Sequence, residues 1–268
     1  MSYLEGIRSF RVKAGMEYLY NGGKLDEDDA RLLMYDFFEE AQHAIAYEIG
    51  DSFFNKYYPS SRCNGHWKIP DPIGIIDHYT AGIKASSTLR WFSNKERPGG
   101  SSNSSAHFLV SREGIIYGVI SPFRIAWHAR RHNATHLGIE HVNAGILKKK
   151  GKRFYYMNEF KYPKKRESAL IQVGKEIWEP YTAEQLEANV ILKRLITQTF
   201  PNVTKSNCID HQMADPERKK DCGPLWPMPI LNDLAFSNRN LNMIDWEKLL
   251  TTWYVQKKID VSSPSVHS

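Results

Sequence analysis

Two histidines and one aspartate in the chain have the residue types and flanking patterns of a metal site. His211 and Asp221 lie within one polar stretch, HQMADPERKKDCGP (211–224), and His78 ends an apolar run, IGIIDHYT (73–80). A hydrolytic zinc site uses three nitrogen, oxygen or sulfur ligands and keeps one position open for water. A lone histidine at a strand end is more often structural. These residues therefore indicate a metal centre only in combination, and only if the loop before Asp221 folds back.

Glu140 is a carboxylate inside an apolar strand-like run, HLGIEHVN (136–143). Burying a carboxylate costs several kcal/mol unless it is paired or used in chemistry. Glu140 is therefore a candidate for general acid and base work. His141 follows it directly, and we expect His141 to face the opposite side of the strand.

Short runs of alternating or apolar residues predict the strands that would position these groups. A short strand over 207–210 would precede His211, a loop over 95–105 would rim the site, and a hairpin would form around Arg112-Glu113-Gly114. The other predicted elements are strands over 73–80, 106–111, 114–120 and 136–143, a helix opened by Thr182 with Gln185 as a capping box, and a last helix over 246–257.

The first fifty residues predict a helical hairpin. A helix over 3–19 is followed by a second helix that Asp26 caps and Gly50 ends. Together these elements predict an α/β fold, with a central mixed β-sheet flanked by helices and an N-terminal helical hairpin. We expect a helical accessory segment over 1–65 and an α/β domain over 66–260 that carries a basic insert at 146–166.

The charge balance favours an anionic partner. The formal net charge is +6 and the isoelectric point is near 9.0. The basic insert, ILKKKGKRFYYMNEFKYPKKR (146–166), is either a solvated hairpin or a surface that binds an anionic polymer such as a wall polymer. No nucleic-acid-binding motif accompanies it, so we expect no nucleic-acid partner.

Targeting signals and a disulfide framework are not predicted. Charged residues interrupt the first fifteen positions, and no run approaches the roughly 18 to 20 apolar residues of a membrane span. We therefore expect synthesis in the cytoplasm without a signal peptide. Three cysteines, at positions 63, 208 and 222, are odd in number and widely spaced, which fits a reducing compartment.

Five stretches, taken in order, resemble one known family. They are IIDHYTAG (75–82), SAHFLVSREGIIYGVI (105–120), AWHA (126–129), HLGIEHVNAG (136–145) and HQMADPERKKDCGP (211–224). The chain resembles the zinc-dependent N-acetylmuramoyl-L-alanine amidases of the amidase-2 type, a superfamily that includes peptidoglycan recognition proteins. The resemblance spans roughly residues 70 to 230. It implies a Zn²⁺ hydrolase that cleaves the amide between N-acetylmuramic acid and L-alanine in peptidoglycan or muropeptides.

The resemblance also implies roles for individual residues. The metal ligands are His78, His211 and Asp221, the catalytic carboxylate is Glu140, and the catalytic cation is Lys219. Cys222 is the alternative third ligand, because some relatives use cysteine and Lys220 precedes it at the required spacing. A gap-free match favours Asp221. Some relatives also carry a tyrosine where this chain has Ala106.

Substrate contacts are expected from Trp127, His128 and His107, although a core role for His107 fits its apolar strand equally well. The main alternative function is a non-catalytic peptidoglycan-binding recognition protein, and the full ligand set favours the enzyme. The setting is predicted to be that of a phage-type lysin or cell-wall amidase, with a recycling amidase and an exported effector as alternatives. Such a protein acts in the periplasm or wall after release or export.

Overall fold

The computed structural model describes residues 7–52, 54, 63–67, 71–93, 104–157 and 159–262 of the 268-residue chain. The helices are α1 (Phe10–Tyr20), α2 (Glu27–Ile49), α3 (Ala85–Ser93), α4 (Ala183–Thr199), α5 (His211–Ala214), α6 (Met228–Ala235) and α7 (Trp246–Ser262). The strands are β1 (Cys63–His66), β2 (Gly74–Tyr79), β3 (Phe108–Val110), β4 (Ile116–Gly118), β5 (Arg124–Ala126), β6 (His136–His141), β7 (Ile146–Lys150), β8 (Arg153–Tyr156), β9 (Phe160–Lys161), β10 (Ile171–Val173), β11 (Glu176–Trp178) and β12 (Cys208–Asp210).

A central mixed sheet with helices around it confirms the predicted fold class. Its strand order is β12-β2-β6-β3-β4, and only the β3–β4 hairpin is antiparallel. The parallel pairing of β2 with β6 sets His78 directly beside Glu140. The carboxyl ends of β12, β2 and β6 therefore meet at one edge of the sheet, where polar side chains can converge.

The N-terminal helices begin and end at capping residues. Asp26 accepts a hydrogen bond from the Asp29 amide, and Gly50 closes α2 with a φ of 90°. The predicted cap and stop of α2 are thus confirmed. The first helix begins later than expected, at Phe10, because Ser9 accepts from the Val12 amide as its N-cap.

Helix α4 lies in the middle of the core. Thr182 and Gln185 form the predicted capping box at its start. Its Arg194 is fully buried and donates to the carbonyls of Leu19 and Leu234, so one guanidinium joins the ends of α1 and α6. Residues of α1 and α2 share the main apolar core with the sheet. The domain division at residue 65 remains a prediction.

A second, fully antiparallel sheet carries the basic insert. Its order is β10-β11-β7-β8-β9, so the insert forms a hairpin extended by one short strand. The predicted loop over 95–105 lies almost entirely outside the described residues. In the part of the chain described, no helix combines the length and the apolar character needed to cross a bilayer.

Candidate metal centre

Three of the predicted site residues converge on one point. His78 Nδ1 lies 2.8 Å from His211 Nδ1, and Asp221 Oδ2 lies 2.9 Å from His211 Nδ1 and 3.2 Å from His78 Nδ1. All three side chains are buried. Among the described residues, this is the cluster of histidine and acidic groups with the spacing to hold a metal ion.

The sheet and one folded-back loop bring these residues together. Parallel pairing of β12 with β2 aligns Asp210 with Asp77. The residues that follow them, His211 at the start of α5 and His78 on β2, therefore lie side by side. Asp210 caps α5 by accepting from the Met213 amide. The Gln212 amide then donates to the Asp221 carbonyl at 2.6 Å, which closes the loop between the two predicted ligands. The fold-back that the sequence required is thus present.

The environment holds two of these groups in the charge states that metal ligation needs. Burial lowers the pKa of His78 to about 4, against the opposing effect of Asp221, so its imidazole is neutral at pH 7. Burial alone would raise the pKa of Asp221, but hydrogen bonds to His211 and His78 outweigh it and hold that pKa well below its usual range. The cluster presents a neutral nitrogen donor beside a carboxylate.

Glu140 faces the same point from the neighbouring strand. Its Oε2 atom is shielded from solvent and has no hydrogen-bond partner among the described residues. Burial, reinforced by the charge of Asp221, raises the pKa of Glu140 to about 8, although Lys219 lowers it. A carboxyl group in this state can take up and release a proton near neutral pH.

Lys219 lies close enough to influence both groups. Its charge lowers the pKa of His78 and that of Glu140, and its amide is anchored on the Asp215 carbonyl. In the ranges that the structure describes, the Lys219 ammonium forms no ion pair within 4.0 Å. It is therefore a cation beside the cluster that no carboxylate neutralises directly.

The three predicted substrate-contact residues have different surroundings. His107 is fully buried, its Nδ1 accepts from the Gly138 amide at 2.8 Å, and its Nε2 lies 2.9 Å from the Arg124 carbonyl. These bonds favour the core alternative for His107. Trp127 is half-buried and its backbone bonds to Ser105. Direct contact of these residues with substrate remains a prediction.

His128 is drawn into the cluster itself. Its Nδ1 lies 3.0 Å from Nε2 of His78, and its Nε2 lies 2.9 Å from the His136 carbonyl. Both ring nitrogens are therefore engaged within the protein. Cys222 behaves differently, since its buried side chain lies outside the ligand cluster while its carbonyl accepts from the Tyr181 hydroxyl.

Two neighbours of the cluster were not singled out from the sequence. Asp77 precedes His78 on β2 and is completely buried, and the test applied to Glu140, a carboxylate in an apolar strand, would have found it. Arg218 approaches Nε2 of His211 at 3.5 Å while its guanidinium is paired with Asp215. No local pattern predicts that approach, because it depends on how the 211–221 loop folds.

The donor set fits a zinc ion. Two imidazole nitrogens and one carboxylate oxygen face each other in a buried position, beside a carboxylate with an unpartnered oxygen. Fold and site together define an α/β protein with a His-His-Asp cluster, spaced to hold a metal ion, at the carboxyl edge of parallel strands.

Comparison with known proteins assigns this architecture to a family. A family model described as N-acetylmuramoyl-L-alanine amidase (Amidase_2) matches residues 70–224, more than half of the chain. The chain belongs to this family, whose members are generally zinc-dependent. The matched range contains all eight predicted site residues, from His78 to Asp221.

Individual relatives match either a shorter part of the chain or a similar part at lower sequence identity. N-acetylmuramoyl-L-alanine amidase A of Achromobacter lyticus is 32% identical over 97 residues, which are 36% of this chain and 50% of that protein. The chain thus spans about half the length of this curated relative. A complex of AmiD from E. coli with anhydro-N-acetylmuramic acid-L-Ala-D-gamma-Glu-L-Lys is 22% identical, covers 65% of this chain and 62% of that one, and has a TM-score of 0.44. AmpDh3 of Pseudomonas aeruginosa is 24% identical, with 62% and 60% covered and a TM-score of 0.42.

Proposed function

We propose that this protein is a zinc hydrolase that cleaves the amide between N-acetylmuramic acid and L-alanine in peptidoglycan. The observation that carries the proposal is the convergence of His78, His211 and Asp221 beside the unpartnered carboxyl of Glu140. Membership of the amidase family supplies the substrate class. A recognition protein that only binds peptidoglycan would have no use for a buried proton carrier next to its metal ligands.

The proposed residues divide the chemistry between them. Zinc, when held by the three ligands, supplies a Lewis acid for the scissile carbonyl and for water. Glu140, which lies beside His78 on the neighbouring strand, would take the proton of the attacking water and return it to the leaving alanine nitrogen. The unpaired Lys219 ammonium stabilises the negative charge that develops on the carbonyl oxygen, an effect typically worth about 3 to 4 kcal/mol per well-placed donor.

The direct test identifies which bond of peptidoglycan the protein cleaves. Purified protein is incubated with peptidoglycan, and new alanine amino termini and new reducing sugar ends are counted separately. We expect alanine termini without reducing ends, and no alanine termini from Glu140→Gln. Binding to peptidoglycan with neither product would favour the recognition protein, and reducing ends would indicate a glycosidase.

We also propose that one face of the basic insert contacts an anionic wall polymer. Lys148 lies opposite Tyr155, which lies opposite Lys161, and Lys150 lies opposite Arg153. Because side chains alternate along a strand, these five residues share one face of the sheet. We call it the cationic face. The ammonium of Lys150 lies 5.2 Å from the Tyr155 ring centroid, as residues on a common face should.

The opposite face of the same strands is packed against the protein. Leu147, Phe154 and Tyr156 join an apolar cluster with Tyr162 there, and Lys149 lies over the Phe154 ring. Four basic residues of these strands therefore lie on the cationic face, namely Lys148, Lys150, Arg153 and Lys161. The sequences of strands β7, β8 and β9 contain no acidic residue.

The cationic face continues towards the metal centre. Trp178 lies opposite Ile146 on the same face and packs on Tyr79 and on the position of Gly223. Glu176 of the same strand pairs with Lys220 of the metal-site loop at 2.6 Å. A wall polymer held on the cationic face would thus lie alongside peptidoglycan at the catalytic edge.

Charge-matched variants test this contact. Lys148→Gln, Lys150→Gln and Arg153→Gln together should weaken binding to sacculi and flatten its salt dependence, because fewer ion contacts form. A control with the same loss of charge outside the cationic face combines Lys149→Gln, Lys164→Gln and Lys165→Gln. Hydrolysis of a small soluble muropeptide should be unchanged in both. Equal loss of sacculus binding in the two triple variants would show that the cationic face makes no specific contact with the wall polymer.

The same two substrates address the biological setting. We propose that the protein works on the assembled wall, after release or export from the cytoplasm, in the manner of a phage-type lysin. Faster turnover of bonds in sacculi than in soluble anhydro-muropeptides is the expected result. The reverse preference would favour a recycling amidase.

A further inference from the structure

We propose that His128 is a positioning residue, which holds His78 in the tautomer that offers a bare Nδ1 to the metal ion. The inference rests on the proposed zinc site and extends it to a residue outside the ligand set. It assigns His128 a role directed towards the ligand cluster rather than towards substrate.

The chain of donors and acceptors begins at a carbonyl. The His136 carbonyl oxygen can only accept, so Nε2 of His128, 2.9 Å away, carries a proton and donates it. A neutral imidazole has one N–H, which leaves Nδ1 of His128 as an acceptor. The His128 ring packs against the imidazoles of His78 and His107, and no described carboxylate lies beside it to favour a second proton.

The contact between His128 and His78 determines the tautomer of His78. Nε2 of His78 lies 3.0 Å from the accepting Nδ1 of His128 and must donate to it. A neutral His78 that carries its proton on Nε2 has none on Nδ1. That bare Nδ1 is the atom that lies 2.8 Å from Nδ1 of His211 and 3.2 Å from Asp221. The other tautomer would set two lone pairs against each other at the His78–His128 contact.

The protein holds the His128 ring in place by contacts unrelated to the metal. The amides of His128 and Ala129 both donate to Oδ1 of Asn133, at 2.9 and 2.7 Å, which fixes the backbone of this turn. Strand β6 passes the ring at Gly138, where an added Cβ would lie 2.6 Å from Cγ of His128. A ring so closely packed can orient its partner, as outer-shell groups of metal-ligating histidines do.

Two substitutions separate the accepting nitrogen from the bulk of the ring. His128→Asn keeps an acceptor near the position of Nδ1, whereas His128→Leu removes it. His132→Leu is the control, since His132 lies in the same segment and contacts Arg131, His136 and the Ala214 backbone rather than a ligand side chain. Zinc affinity is measured on the full chain by competition with a chelator, and the unfolding of metal-free protein is measured in parallel.

We expect His128→Leu to bind zinc about 10- to 100-fold more weakly, the range typical of lost outer-shell partners. His128→Asn and His132→Leu should stay close to the unsubstituted protein. If His128→Leu and His128→Asn lose affinity equally, or if His128→Leu lowers only the stability of the metal-free protein, the positioning role is wrong while the zinc site stands. If the unsubstituted protein binds no zinc, the proposed function itself fails.

Discussion

Asp77 and His78 are neighbours on β2, yet their side chains leave opposite faces of the central sheet. On the Asp77 face, one carboxylate receives Lys193 at 2.6 Å, Asn189 at 2.9 Å and the Trp226 indole at 3.3 Å. His141 lies 3.3 Å from it. The charge of Lys193 and the bond to His141 outweigh burial and hold the pKa of Asp77 well below its usual range.

The His78 face also holds carboxylates, histidines and a lysine, but not all of these polar groups have a partner of their own. Glu140 has an unpartnered buried oxygen and a pKa raised to about 8. Asp221 is shared by two histidines, and Lys219 forms no ion pair with a described carboxylate. On the Asp77 face the carboxylate has partners on both oxygens, and the buried atoms left without a partner are Nδ1 of His141 and Oδ1 of Asn189. Of the two faces, only the His78 face leaves a carboxylate oxygen unpartnered among the described residues.

This difference separates a structural charge cluster from a functional one. Buried ionic groups that satisfy each other are a feature of many cores. Groups kept neutral, unpaired or shared cost stability, and a fold retains them where they do chemistry. Burial of a carboxylate is thus a weak signal, and burial of a carboxylate oxygen without a partner is a stronger one.

The largest expected effect is on the His78 face, at the third ligand. Asp221→Ala should weaken zinc binding by more than about 100-fold, beyond the range for outer-shell partners, and abolish hydrolysis. Cys222→Ser should keep zinc, because the Cys222 side chain lies outside the cluster. Elemental analysis of both purified variants decides the assignment, and the reverse pattern would make Cys222 the ligand.

The next effect concerns the unpartnered carboxyl. Glu140→Gln should keep zinc and substrate binding and lose about 100- to 10,000-fold in turnover, as general acid-base groups do. Zinc content and single-turnover rates are the measurements. A variant that loses its zinc together with its activity would show that Glu140 supports the metal rather than moving protons.

Stability should respond in opposite directions on the two faces. Asp77→Asn leaves the buried Lys193 ammonium without its counter-charge and should lower the free energy of unfolding by about 3 to 5 kcal/mol. Glu140→Gln should raise the free energy of unfolding of the metal-free protein at pH 7, because burial disfavours the charged form of Glu140. Urea unfolding of chelated protein measures both.

The double variant Asp77→Asn with Lys193→Met is the control for the Asp77 face. Removing both charges should destabilise less than Asp77→Asn alone. Losses that simply add would show that the two groups are not coupled, and destabilisation by Glu140→Gln would remove the contrast between the faces.

The smallest expected effect is a pH dependence at His107. Its Nδ1 accepts from the Gly138 amide, so protonation would set two N–H groups against each other, and burial lowers its pKa to about 4. The unfolded chain takes up the proton near pH 6.5, so stability falls as the pH drops from 6.5 towards 4. Between pH 7.5 and 5 the loss is about 2 kcal/mol.

His107→Gln isolates this contribution from the other histidines. The variant should be less stable at pH 7.5, and its stability should fall less steeply towards pH 5. Unfolding curves at both pH values give the comparison. Parallel pH dependences in the two proteins would show that His107 does not titrate as its surroundings require.

Local patterns were enough to predict many elements of the fold. Asp26 and Gly50 bound α2, and Thr182 with Gln185 opens α4, because caps depend on residues within one turn of each other. The predicted start of α1 at residue 3 is wrong, because Ser9 caps a helix that begins at Phe10. The ordered motifs also led to the family and to the three converging ligands.

The sequence could not distinguish Asp77 from Glu140. Each is a carboxylate inside an apolar strand, and alternation along the strand says only that neighbours face opposite ways. The partners that decide their states, Lys193 and Asn189 for Asp77 and the 211–221 loop for Glu140, lie far away in the chain. The sequence by itself determined which residues can carry charge, and only the tertiary structure decided which charges are paired, because pairing depends on contacts between distant segments.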